Sequence, residues 1–153
     1  MGRIEVEEVV TRHYRDVYRY LARTTGSRDR AEDLTQEVFL RVARAGRNGD
    51  EISHERGWVF SIARSVVAAY RRSEKGEPAA SSGAEPASRA SHPMVLELTE
   101  ALGRLPDLDR EMLLLREIGG LTYEELAVAC DCSVEAVRSR LHRTRSALRQ
   151  VLS

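Results

Sequence analysis

Between Arg138 and Arg149 the chain places five arginines, Arg138, Arg140, Arg143, Arg145 and Arg149, and no acidic residue. A guanidinium can fork across two phosphate oxygens or across the acceptor edge of guanine, and serine and histidine can hydrogen-bond bases or backbone. At helical spacing, Glu135, Ser139, His142 and Arg143 project from one side, with Arg138 and Arg145 on its flank. Val134, Val137, Leu141 and Leu148 form the opposite stripe, an apolar face suited to burial. A helix in a DNA major groove needs this chemistry. An ordinary amphipathic helix with a solvated basic face would show the same arginines, so the decision rests on what holds the helix.

The preceding residues predict a second helix and a tight corner. Thr122 and Glu125 have the spacing of a capping box, in which each side chain satisfies a backbone N–H of the other. Tyr123, Leu126 and Ala127 then face inward. Asp131 stands at the corner, where a left-handed backbone is often needed and Asp tolerates it. Ser133 is a good N-cap for the arginine-bearing helix. Helix, short turn and capped helix form a helix-turn-helix, which favours DNA over a solvated face. The candidate contacts are Ser133, Glu135, Arg138, Ser139, His142, Arg143 and Arg145.

A second constellation lies in the first half. The helix predicted from about Gly57 to Arg72 is apolar over most of its circumference, through Trp58, Val59, Phe60, Ile62, Ala63, Val66, Val67, Ala69 and Tyr70. Its one polar strip holds Ser61, Arg64, Ser65, Arg71 and Arg72. A helix buried nearly all round that keeps one cationic strip offers that strip to a partner, and phosphates fit. Two further helices precede it, one marked by Val6, Val9, Val10, Val17 and Leu21, the other by Ala31, Leu34, Val38 and Val42. A polar loop, Gly46 to Arg56, joins the second to the third.

Residues 74–93 are rich in Ala, Ser, Gly, Pro and Glu, with almost no bulky apolar side chain to build a core. They read as a flexible tether. Beyond it, helices are expected at Met94–Gly103 and from Leu105-Pro106 through Ile118, closed by Gly119-Gly120. Strand signals are nearly absent. The fold class is therefore all-α: two small helical domains, 1–73 and 94–153, joined by a flexible linker.

The 153 residues carry 24 basic and 24 acidic side chains, a net charge of zero, so bulk charge announces no polyanion. Its distribution says more. Fourteen arginines face eleven acids in residues 1–73, whereas eight face ten in 94–153 and crowd into the last helix. No apolar run is long enough to cross a membrane, and the N-terminus lacks the apolar core of a secretory signal, so a cytoplasmic protein without membrane insertion is expected. Cys130 and Cys132 are too few for a disulfide framework or a zinc site and read as small buried residues. The four histidines, His13, His54, His92 and His142, are scattered, and most read as surface residues. No metal cluster, nucleotide loop or nucleophile–base pair appears, so no enzyme activity, catalytic residue, metal or cofactor is expected.

The segment from Leu105 to Arg149 resembles the sigma-4 domain of extracytoplasmic-function (ECF) RNA polymerase sigma factors, members of the sigma-70 family. AEDLTQEVFLRV, from Ala31, resembles the second conserved region of the sigma-2 domain, and GWVFSIARSVVAAYRRS, from Gly57, resembles the aromatic and basic helix after it. The likeness spans nearly the whole chain, in the right order. The C-terminal part alone also resembles LuxR-type regulators; the DLTQEVF stretch and the Trp-headed helix separate the two.

The resemblance implies a protein with no catalytic centre that docks on core RNA polymerase, directs it to promoter DNA and helps open the duplex. Asp33, Gln36 and Glu37, largely off the apolar stripe of their helix, would bind the clamp coiled coil of the largest polymerase subunit, with Phe39 packing inside. Asn48, Ser53 and His54 would hydrogen-bond a flipped base of the −10 element, while Arg56, Arg64, Ser65, Arg71 and Arg72 line its strand. Trp58 shares its side with Ile62 and Val66 and is assigned to packing. The family often has Asn and Asp within this helix where this chain has Ser65 and Ala69. The C-terminal helix would read the −35 element, and an anti-sigma factor is an expected partner. A stand-alone helix-turn-helix regulator is the rival; it predicts tight binding to a palindrome without polymerase. Whether the two domains are compact or apart when free is left open by the sequence.

Overall fold

A computed structural model describes residues 5–47, 52–74 and 93–152. Among them there are seven helices and no strand: α1 (Val6–Thr25), α2 (Arg28–Arg47), α3 (Glu55–Ser73), α4 (Pro93–Arg104), α5 (Asp107–Glu117), α6 (Tyr123–Cys130) and α7 (Val134–Leu152). The all-α expectation is met. The tether expected at 74–93 lies outside the described residues except at its ends, where Glu74 caps α3 and Pro93 starts α4.

In the N-terminal half, α1 and α2 form a hairpin around Gly26, whose φ of 73° is the left-handed value that lets the chain reverse at once. Its N–H reaches the Ala22 carbonyl at 2.8 Å, and Ser27 Oγ accepts from the Arg30 N–H to start α2. Val9, Val17, Tyr20 and Leu21 from α1 meet Ala31, Val38 and Val42 from α2. Helix α3 lies across both, and Phe60 meets Tyr20 edge-on with ring centroids 5.8 Å apart. Phe39 is buried and stacks on Tyr14, whereas its neighbour Leu40 is exposed.

In the C-terminal half, α5, α6 and α7 enclose Met112, Leu115, Leu121, Leu126, Val137 and Leu141. Arg110 ties the α4–α5 turn through the Leu102 and Leu105 carbonyls. Buried Asp109 is neutralised by Arg140 at 2.7 Å, which fastens α5 to α7. Along α4 only Ala101 is buried; Met94, Val95, Leu96 and Leu98 are exposed.

The two halves are packed together, a question the sequence leaves open. Helix α3 lies on α6, and one hydrophobic cluster runs through both halves. Gly57 sits at the crossing. A Cβ there would stand 2.7 Å from the Glu125 carbonyl oxygen and 2.9 Å from Val128 Cβ, so only glycine permits this approach. Gly119 is hemmed in likewise: a Cβ there would stand 2.7 Å from the Leu115 carbonyl oxygen, 2.9 Å from Leu121 and 3.3 Å from the Phe60 ring.

Candidate nucleic-acid interface

The helix-turn-helix is built as its residues dictate. Thr122 Oγ1 accepts from the Glu125 N–H at 3.1 Å, and the Glu125 carboxylate accepts from the Thr122 N–H at 2.9 Å, which completes the capping box. Asp131 takes the left-handed conformation, φ 54°, and passes the chain to Ser133, whose Oγ accepts from the Ala136 N–H at 3.0 Å. Val137 and Leu141 are buried, with Val134 and Leu148 half-buried along the same stripe. Thr144 joins them, fully enclosed, a position absent from the sequence-derived stripe.

Burying that stripe turns the other face outward. Ser133, Glu135, Arg138, Ser139, His142 and Arg143 are all exposed along α7. Arg138 lies over the Tyr123 ring, 5.7 Å from its centroid, which steadies the guanidinium through cation–π attraction without covering it. Arg145 is half-exposed and reaches Glu117 at 3.1 Å. Six of the seven C-terminal candidates thus share one open surface, and the seventh borders it with an ion pair.

The N-terminal candidates divide. Ser53 and His54 are exposed just ahead of α3, His54 with a left-handed φ of 55°. Ser65, Arg71 and Arg72 are exposed along and at the end of α3, with Ser65 touched by Arg41 at 3.5 Å. Asn48 lies outside the described residues. Arg56 and Arg64 are not open: both are spent on the joint between the halves. Arg64 donates to the Ala129 carbonyl at 3.1 Å and pairs with Glu111 at 2.9 Å. Arg56 donates to the Gly119 carbonyl, to Asp16 at 2.5 Å and to His13 Nδ1 at 2.9 Å. In this arrangement both guanidiniums are engaged within the protein.

The joint is only partly satisfied. Tyr20 is fully buried near Glu111 and Cys130, and burial pushes its phenol well above the ordinary range. Its hydroxyl and Arg64 Nε are enclosed without a hydrogen-bond partner among the described residues, each a cost of order 1–3 kcal/mol against a solvated state. Burial likewise pushes the Cys130 thiol up to about 11. Cys130 is buried and Cys132 half-buried, as small packing residues.

Beneath Arg56 is a cluster that sequence spacing does not reveal. Most histidines are expected at the surface, and His54 and His142 are exposed; His13 is buried because it points from α1 toward the start of α3. Its Nε2 lies 2.7 Å from Glu55, which Arg12 grips through two 3.0 Å hydrogen bonds. The Arg12 guanidinium holds the Glu55 carboxyl below its usual range, and desolvation holds the His13 imidazole below its own.

On the outer face of α2, Asp33 and Gln36 are exposed, and half-exposed Glu37 pairs with Arg41 at 3.0 Å. Through Arg41, which also touches Ser65, this face of α2 adjoins the exposed strip of α3. Among the described residues no group of His, Cys, Asp and Glu could hold a metal ion, and no helix is long and apolar enough to cross a membrane.

Comparison with known proteins identifies the family. Residues 9–77 match the family described as Sigma-70 region 2, and residues 96–148 match Sigma-70, region 4. The chain is similar to the ECF RNA polymerase sigma factor SigC of Mycobacterium tuberculosis (strain CDC 1551 / Oshkosh), 36% identical over 94% of this chain and 80% of that protein. It is 31% identical to the ECF RNA polymerase sigma-E factor of Escherichia coli K12, over 92% of this chain and 82% of that protein. Among solved structures, its fold matches the sigma factor RpoE in complex with the anti-sigma factor NepR from Bartonella quintana. That match has a TM-score of 0.71 at 24% identity and covers 95% of each chain.

Proposed function

Because the chain belongs to the extracytoplasmic-function RNA polymerase sigma factors, we propose that its three surfaces divide the work of promoter recognition: α7 on the −35 element, the start and end of α3 on the −10 element, and α2 on core polymerase. As an alternative sigma factor it binds core RNA polymerase and directs it to promoter DNA. The observation that supports the assignment best is the open face of α7, where Arg138, Ser139, His142 and Arg143 stand together on a capped helix-turn-helix. In a major groove the arginines would meet guanine edges and phosphates, and Glu135 would accept from cytosine.

The domain division that goes with this places −10 and polymerase binding in residues 1–73, a linker at 74–93 and −35 binding in 94–153. Ser53, His54, Ser65, Arg71 and Arg72 are available to an unpaired −10 strand as the protein stands. Arg56 and Arg64 would join them once the halves part, which core polymerase would bring about by spacing the two domains on DNA. Asn48 belongs to the same assignment. Asp33, Gln36 and Glu37 would meet the polymerase clamp. The role needs no catalytic residue or cofactor, and it calls for a cytoplasmic location with polymerase and DNA at hand. An anti-sigma factor is a further expected partner, as RpoE of Bartonella quintana has in NepR.

The test is run-off transcription with core RNA polymerase across a promoter library. Transcripts that require the protein and share two spaced sequence elements are expected. Arg138→Ala and Arg143→Ala should each lower promoter use by about 1–3 kcal/mol, and loss of a base-reading arginine should also relax preference at −35. Unchanged transcription from all promoter sequences in both variants would refute the α7 assignment. Tight binding of a palindrome by the protein alone, without transcripts, would favour a stand-alone regulator.

A further inference from the structure

We propose that His13 is a proton-operated release for the joint between the two halves: protonation of its Nδ1 ends its acceptance of the Arg56 guanidinium, and Arg56 then leaves the Gly119 carbonyl. The inference concerns the closed arrangement itself and holds whichever DNA each surface reads.

The hydrogen bonds fix which nitrogen carries the proton. Glu55 is ionised, gripped by Arg12, so His13 Nε2, 2.7 Å away, must donate to it. Arg56 has only donors, so His13 Nδ1, 2.9 Å from Nη1, must accept. One neutral tautomer meets both demands, and the ring is buried. The groups facing it are Arg12 and Asp16 from its own helix, Glu55 and Arg56 from α3, and, through Arg56, the Gly119 carbonyl of the C-terminal half. With His13 neutral, two arginines balance two carboxylates. One added proton leaves the cluster at +1 and sets two donors against each other.

The two contacts of the ring then respond in opposite senses. Glu55 is attracted more strongly and stays. Arg56 is repelled, but Asp16 still holds it at 2.5 Å on the α1 side. Nη2 serves both Asp16 and the Gly119 carbonyl, so a guanidinium pushed back from His13 through Nη1 must turn on Asp16, and that turn works against its bond to Gly119. The lost contact is the one that crosses between the halves, so a change inside the N-terminal half is felt as loosening of the joint.

The direction follows from linkage. In the closed form the His13 pKa is lowered, with desolvation the largest cause. Repulsion by Arg56 is among the further causes, so the pKa rises when Arg56 moves off, in the direction of the ordinary value of about 6.5 but with the ring's own burial still lowering it. Closure is therefore fully supported above that ordinary value and loses support as pH falls through it toward the closed-form value. A single proton changes the open-to-closed ratio by at most about tenfold per pH unit.

The test uses the full chain between pH 8 and pH 5.5, with small-angle scattering for its dimensions and NMR of the His13 ring for protonation. Expansion of the wild type with falling pH is expected, with a midpoint within about half a unit of the ring titration. His13→Gln supplies an amide N–H for Glu55 and a carbonyl for Arg56 but does not titrate, so it should stay compact throughout. A wild type that remains compact to pH 5.5, or an H13Q protein that expands as the wild type does, would overturn the proposal. Should H13Q lose its helical circular dichroism, the two wild-type midpoints decide alone, and their separation by more than about half a unit refutes it.

Discussion

Replacing Gly57 with alanine should part the two halves while strengthening the helix that contains it. The added Cβ would meet the Glu125 carbonyl oxygen at 2.7 Å and the Glu125 Cα at 3.2 Å, and both are backbone atoms of α6. Backbone cannot rotate aside as a flexible side chain does, so α6 must retreat by several tenths of an ångström. Overpacking of this kind costs about 1–3 kcal/mol. That is roughly five- to 150-fold in the closed-to-open ratio, since each 1.4 kcal/mol is tenfold. With the halves apart the position faces solvent, and there alanine should favour the helix by about 0.5–1 kcal/mol. The assay is small-angle scattering at pH 8 beside urea unfolding followed by circular dichroism. Gly103→Ala is the control, because a Cβ there meets nothing within 4 Å. It should add helix stability and leave dimensions unchanged. If Gly57→Ala is as compact as the wild type, the close approach at this crossing does not govern how the halves sit, and the reasoning fails.

Two further outcomes test the local chemistry. Thr122→Ala removes the Oγ1 that accepts from Glu125 and should lower stability by about 1 kcal/mol in urea, with Thr122→Ser nearly neutral; equal losses in both variants would show that the hydroxyl is not the cause. With its thiol pushed up to about 11, Cys130 should resist iodoacetamide at pH 7.5 until urea opens the joint, whereas half-buried Cys132 reacts first; mass mapping that finds Cys130 modified first in native protein would contradict its burial.

Much of the fold is legible in sequence because its signals are local. The Thr122–Glu125 box, the Asp131 corner and the Ser133 cap each span four residues or fewer, and the exposed face of α7 follows from them by helical geometry. The apolar breadth of α3 was also visible, yet its meaning needed the other half of the molecule. Arg64 looks from sequence like a free cation on a polar strip, but its acceptors lie 47 and 65 residues away. Arg56 differs in the same way, with its carbonyl partner 63 residues off. His13 has no local feature that distinguishes it from a surface histidine; only the meeting of α1 with the start of α3 encloses it. Gly57 shows no turn and no positive φ, so its requirement for glycine is purely one of approach to another element.

Of the three acceptors that Arg56 and Arg64 find across the joint, those at Gly119 and Ala129 are main-chain carbonyls and the third is the Glu111 carboxylate. Every amino acid supplies a carbonyl, so apart from Glu111 the receiving side of the fastening is indifferent to most exchanges of side chain. A chimera that grafts a different DNA-reading half onto this N-terminal half would retain the receptor wherever its helices keep the same path. Promoter specificity can then be re-engineered, or drift, without dismantling the closed form, whereas loss of either arginine removes a fastening that no compensating side chain opposite can restore.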